Sequence, residues 1–148
     1  MYLAPQEIRT FHVTTATAGR LRVFQVTSQA ELMEETLRDY AEKGIFALHA
    51  YVVMPDHLHL VITPSREVSL EQAMQRVKGG FSFQLKRGSI WNSGFNQNRI
   101  ASAQEYAAVV KYVHENPVRA GIVGEAGKYP HSSQGKEWIA PTPRQFRG

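Results

Sequence analysis

Apolar residues along this chain recur with two periods, and the switch between them marks out the elements. Residues 8–15 (IRTFHVTT), 45–54 (IFALHAYVVM) and 57–63 (HLHLVIT) are rich in β-branched and aromatic side chains and predict strands. Pro55-Asp56 separates the last two with turn chemistry and predicts a hairpin. Residues 21–26 (LRVFQV) alternate apolar with polar and predict a second short strand, or an extension, after a turn at Ala18-Gly19-Arg20. Ser28-Gln29-Ala30-Glu31 then reads as a capping box. Behind it Leu32, Met33, Thr36, Leu37, Tyr40 and Ala41 fall near helical spacing, with Gly44 marking the end.

The same reading continues to the C-terminus. Ser69-Leu70-Glu71-Gln72 is a second capping box, opening a helix toward Gly79-Gly80, where the two glycines threaten a break and 81–86 either continues the helix or follows it. Residues 89–100 (SIWNSGFNQNRI) predict a loop and one short strand around Phe95. Ser102-Ala103-Gln104-Glu105 starts a third helix through Tyr106, Val109, Val110 and Val113. Pro117 is expected to stop that helix at or before Asn116 and to open a short turn ended by Gly121 or Gly124. Residues 124–148, rich in Gly, Pro, Ser and Lys, predict an irregular or mobile tail. The order β, helix, β-hairpin, helix, β, helix indicates an α+β fold in one domain, 1–148. Its expected form is a ferredoxin-like sandwich, an antiparallel sheet with helices on one face and a further C-terminal helix.

Composition narrows the class. The 148 residues are 43% hydrophobic, enough for a core, and include no cysteine, which excludes disulfides and thiolate metal sites. No signal-peptide pattern opens the chain and no apolar run approaches the ~18 residues of a membrane helix, so a cytoplasmic protein with no membrane partner is expected. The net charge is only +4, but it is segregated. Residues 8–30 carry Arg9, Arg20 and Arg22 and no acid. Residues 72–104 carry Arg76, Lys78, Lys86, Arg87 and Arg99, again with no acid, while acids gather in 31–42. Such segregation is the footprint of a polyanion binder. Phe81, Phe83, Trp91 and Phe95 lie among the second set of cations. They offer bases a stacking surface where exposed, although Phe81 and Phe95 read as core.

Two constellations carry chemistry. His57 and His59 flank Leu58 on the second hairpin strand, so both imidazoles point one way while Leu58 and Leu60 point into the core. Two neutral imidazoles on a rigid strand can hold a divalent metal; a bare His-x-His equally suits the wet face of a half-buried strand. Far along the chain, Tyr112 and Asn116 stand four apart in YVHEN and share a helix face, with His114 turned away. Alone, Tyr112 also reads as an amphipathic tyrosine and Asn116 as a residue ending a helix before proline.

Together, YVVMPDHLHLVI, GFNQNRI and YVHENPVRAGIV, in this order and spacing, resemble the single-tyrosine HUH transposases, the small insertion-sequence enzymes and their REP-associated relatives. The resemblance runs from about His12 to about Val123. It implies a ferredoxin-like or RRM-like core and cleavage of single-stranded or hairpin DNA with Mg²⁺ or Mn²⁺. Residue by residue, His57 and His59 match the metal-binding histidines, Tyr112 the nucleophile, and Asn116 the polar residue that completes the metal site, often Gln in relatives. Arg76, Lys78, Lys86, Arg87, Arg99 and Arg119 are the expected DNA-backbone contacts. Family members commonly form homodimers, and REP-associated relatives can act as monomers. The chain departs from the pattern in two places: relatives often carry a basic residue shortly after the first strand's His-x-Thr, where this chain reads His12-Val13-Thr14-Thr15-Ala16, and REP-associated members often have His after Gly-Phe, where this chain has Asn96. Two rivals remain at this stage: a non-catalytic single-stranded DNA- or RNA-binding module, and a metal-dependent nuclease that forms no covalent intermediate.

Overall fold

The computed structural model describes residues 8–88 and 90–147. Four strands form one antiparallel sheet: β1 (Thr10–Ala16), β2 (Phe46–Met54), β3 (His57–Pro64) and β4 (Asn96–Ile100), in spatial order β2-β3-β1-β4. Helices α1 (Thr27–Glu42) and α2 (Leu70–Leu85) are the two crossovers, and α3 (Ala103–Arg119) follows β4. This is the ferredoxin-like plan expected from the element order. Leu58, Leu60 and Ile62 of β3 are fully buried beneath α1 and α2, alongside Val13, Met33, Leu37, Met74 and Phe81. Each such side chain contributes on the order of 2 kcal/mol by leaving water. The opposite face is covered by α3, whose Tyr106 and Val113 pack on Ala50, Val52, Met54, Val61 and Ile100.

The tight turn at Pro55-Asp56 pairs Met54 with His57 and sets the hairpin register. A register shift between Leu48 and Ala50 breaks the alternation of β2. Phe46 and Leu48 before it, and Tyr51 and Val53 after it, therefore all reach the α1/α2 core, while Ala50, Val52 and Met54 serve the α3 side.

Several local expectations are corrected. Residues 21–26 form no strand; Val23–Gln25 is a 3-10 turn, because Val23 and Phe24 are both buried and the Phe24 N–H is used by the Pro55 carbonyl at 3.0 Å. Helix α1 starts at Thr27 behind Val26, with no side-chain cap, so the Ser28 box is unused. The Ser69 box does form, Ser69 Oγ accepting from Gln72 N and Gln72 Oε1 from Ser69 N. Helix α2 runs unbroken through Gly79 and Gly80, and a Cβ at Gly80 would meet the Tyr40 hydroxyl at 2.5 Å. The second glycine thus serves close helix packing. Helix α3 continues past Pro117 to Arg119, with the buried proline ring as part of its packed face. The C-terminal stretch is irregular but tied to β2. Val53 N donates to His131 O at 2.8 Å, Ser133 N to Tyr51 O at 2.9 Å, and Ala140 N to Leu48 O at 2.9 Å. Trp138 stacks on Tyr51.

Candidate active site

Sheet register and α3 together build one cluster on the α3 side of the sheet. His57 and His59 project there from β3, their rings 5.0 Å apart. From β1, whose Thr14 pairs with His59, come Thr14 and His12. The His12 Nε2 lies 3.0 Å, and the Thr14 hydroxyl 3.1 Å, from His59 Nδ1. From α3, the Asn116 amide nitrogen stands 3.2 Å from His59 Nε2. The Tyr112 ring, one helical turn earlier, lies edge-on to His59 at 5.6 Å and to His12 at 5.9 Å. The chain's far end therefore meets its mid-chain strand within a single molecule.

With the Asn116 amide in this orientation, Nδ2 donates to the His59 Nε2 lone pair, and His59 Nδ1–H is directed toward His12 and Thr14. The His57 Nδ1–H donates to the Asp56 carboxylate at 2.7 Å, which holds the orientation of that ring. Burial, the neighbouring His57 and His12 rings and the Arg119 charge push the His59 pKa down to about 3, so the ring is neutral at ordinary pH. Burial lowers His12 as well. Among the described residues, no three His, Asp or Glu side chains gather as a metal cage. The Asn116 amide stands within reach as a further donor, its oxygen taking the place of its nitrogen when the amide turns over. Two imidazole nitrogens and one amide oxygen form a neutral donor set with room for further oxygens, which suits a small hard cation.

Tyr112 is 45% exposed and so can be reached by a substrate. Its ring is clamped from the other side by Arg119, whose guanidinium lies 4.1 Å from the ring centre and donates to the Tyr112 carbonyl at 2.6 Å. Arg119 stands seven residues after Tyr112, two turns along the same face, and reaches it only because α3 runs through Pro117.

With this geometry in view, residues 7–116 match the family described as IS200-like transposases. The chain belongs to that family. A REP-associated tyrosine transposase of Escherichia coli (strain K12) is 25% identical over 109 residues, 73% of this chain and 66% of the relative. The chain thus spans just under two thirds of that relative's length. The solved structure of a REP-associated tyrosine transposase bound to a REP hairpin superposes with a TM-score of 0.78 at 21% identity, covering 95% of this chain and 89% of that one. Among the described residues, no helix of this IS200-like transposase is long and apolar enough to cross a membrane.

The six cations singled out in the sequence are not brought together. Arg119 is at the cluster. Arg76 and Lys78 lie on α2, and Lys86 and Arg87 just beyond it, the helix that covers the opposite face of the sheet. Lys78 is spent on structure, donating to the Asn92 and Gly94 carbonyls at 2.9 Å each. Arg99 sits on the edge strand β4. Of the aromatics, Phe81 is core, Trp91 packs against Phe24 and Phe81, and Phe83 is exposed. Sequence reasoning missed His12, Thr14 and Asp56 as site residues. For His12 and Thr14 the available signal was their spacing of two on a strand, the same alternation as His57 and His59.

Proposed function

We propose that this IS200-like transposase cleaves and rejoins single-stranded DNA through a covalent 5′-phosphotyrosine on Tyr112, using Mg²⁺ or Mn²⁺ held by His57, His59 and Asn116. The observation that carries the reading is the convergence of an accessible tyrosine with two oriented imidazoles and an amide in one chain. The ion, when bound, supplies positive charge to the non-bridging phosphate oxygens and so lowers the cost of the crowded transition state. The chain's own residues do the rest. His12 and Thr14 hold the His59 proton on Nδ1, so its Nε2 lone pair stays available, and Asp56 holds the orientation of the His57 ring. Arg119 fixes the plane of the Tyr112 ring. The Tyr112 oxygen forms a bond to phosphorus and its proton passes to water. The bond from phosphorus to the 3′ oxygen breaks, and that oxygen leaves as a 3′-hydroxyl after taking a proton from water. Attack by a second 3′-hydroxyl reverses the step and releases Tyr112, so the phosphodiester energy is conserved. Hairpin DNA is the substrate form suggested by the hairpin-bound relative.

The test is mass spectrometry of the protein after reaction with Mn²⁺ and hairpin-bearing single strands, comparing wild type with Tyr112→Phe. A DNA adduct on Tyr112, absent in Tyr112→Phe while binding persists, is expected. Equal cleavage by both proteins overturns the covalent reading in favour of a metal-dependent nuclease. Binding without cleavage by wild type leaves a binding module.

A further inference from the structure

Strand β4 carries an amide run, Asn96-Gln97-Asn98, that nothing in the fold accounts for. Asparagine is among the residues least suited to strands, and a local rule broken without compensation is a mark of function. The register places the two asparagines. Asn96 pairs with Thr14 and Asn98 with His12, the two β1 residues that contact His59 Nδ1. Both share a face with Ile100, which packs in the core under α3, so both point to the active-site side of the sheet. Thr14 also pairs with His59, which puts Asn96 two strand steps, about 10 Å, from that histidine. Both are exposed, and neither side chain has a hydrogen-bond partner among the described residues. Their mount is rigid. The loop before β4 is tied down by Lys78 to the Asn92 and Gly94 carbonyls, by Asn92 N to Ala16 O at 3.0 Å, and by Trp91 Nε1 to Lys78 O at 3.0 Å. Edge protection does not explain them either, since edges are guarded by charges, prolines and bulges, whereas asparagine ladders promote pairing.

We infer that Asn96 and Asn98 are the base-reading residues of this site, hydrogen-bonding the edge of an unpaired base beside the phosphate that Tyr112 addresses. An asparagine amide donates and accepts at once and matches adenine N6 and N7; in a single strand these edges are free of any partner base. The inference deepens the proposed function and rests on it for the placement of the scissile phosphate.

The test reads binding separately from cleavage. In a Tyr112→Phe background, a pool of single-stranded oligonucleotides with a randomised segment is captured and sequenced, with and without Asn96→Ala and Asn98→Ala. The background protein is expected to enrich adenine at one or two adjacent positions, and loss of the amides to reduce that enrichment about tenfold. Asn98→Asp, which accepts but does not donate, is expected to shift the preference toward cytosine. Unchanged Mn²⁺ affinity in these variants shows that the neighbouring site is intact. An enrichment profile indifferent to all three substitutions, or no base preference in the background protein, overturns the inference. Adduct formation on Tyr112 is scored in parallel with the unsubstituted tyrosine. Base selection without adduct overturns the cleavage reading alone, and adduct formation indifferent to the amides overturns this inference alone.

Discussion

At the scale of single residues, the site depends on which nitrogen of each imidazole carries the proton. In the proposed site a histidine ligand works only if the nitrogen turned toward the ion keeps its lone pair, and the groups behind the ring decide which nitrogen that is. His12 and Thr14 both accept from His59 Nδ1, so deleting one leaves the other. His12→Phe is therefore expected to weaken Mn²⁺ binding about tenfold rather than abolish it. His12→Gln, whose carbonyl oxygen can accept the same proton, should recover most of the loss. Titration calorimetry with Mn²⁺ on the three proteins checks this, and equal affinities would show that His12 has no part in orienting His59. The histidine pair, Tyr112 and Asn116 were legible in the sequence because each lies within a short periodic segment whose face can be counted. His12 was not, since its contact with His59 exists only once β1 is known to lie beside β3 in this register.

At the scale of elements, two helix segments show what sequence patterns omit. Pro117 and the Gly79-Gly80 pair are helix breakers by local propensity, yet α3 and α2 run through them. Proline removes one N–H and crowds the Val113 carbonyl one turn back, a local cost at the end of α3 that does not stop the helix reaching Arg119. What the continuation gains is the position of Arg119 on the Tyr112 ring. The glycines are not equivalent. Gly79 faces open space, whereas a Cβ on Gly80 would meet the Tyr40 ring at 2.5–3.0 Å. Gly79→Ala is expected to stabilise the protein by about 0.5–1 kcal/mol through helix propensity alone. Gly80→Ala should forfeit that gain, because the Tyr40 ring has to leave the groove between α1 and α2. Urea denaturation of both variants gives the comparison; equal stabilisation by both would mean that the Tyr40 contact carries no weight. The cations singled out in the sequence are scattered for a related reason. Sequence proximity grouped Arg76 to Arg87, but the α2 crossover carries them to the face away from the tyrosine.

At the scale of the whole molecule, the sheet separates two tasks, a dry core under α1 and α2 and a polar, half-open face under α3. The polar face is stabilised by histidines held neutral. The Thr10 hydroxyl lies 2.7 Å from the Thr63 hydroxyl, Thr63 donates to His49 Nε2 at 2.8 Å, and His49 Nδ1 donates to the Pro141 carbonyl at 2.8 Å, which ties the C-terminal stretch to the bulge in β2. On α3, His114 Nε2 accepts from Ser133, which in turn accepts from Tyr51 N. Burial lowers the pKa of His49, His114, His12 and His59 below the ordinary value of 6.5, and for His49 the backbone bonds at Pro141 and Ala140 only partly offset it. In the unfolded chain the same histidines take up protons near pH 6.5. Below that pH the unfolded state therefore binds more protons than the folded one, and stability falls as pH falls; above it the contribution is fully present. The melting temperature of the metal-free protein is expected to hold steady above about pH 7 and to drop progressively from pH 6.5 toward pH 5. His49→Gln keeps a donor for Pro141 and an acceptor for Thr63 but cannot titrate, so it should flatten part of that slope. A melting temperature constant from pH 7 to pH 5 in the wild type, or a slope unchanged by His49→Gln, would show that the neutral histidines do not govern acid stability.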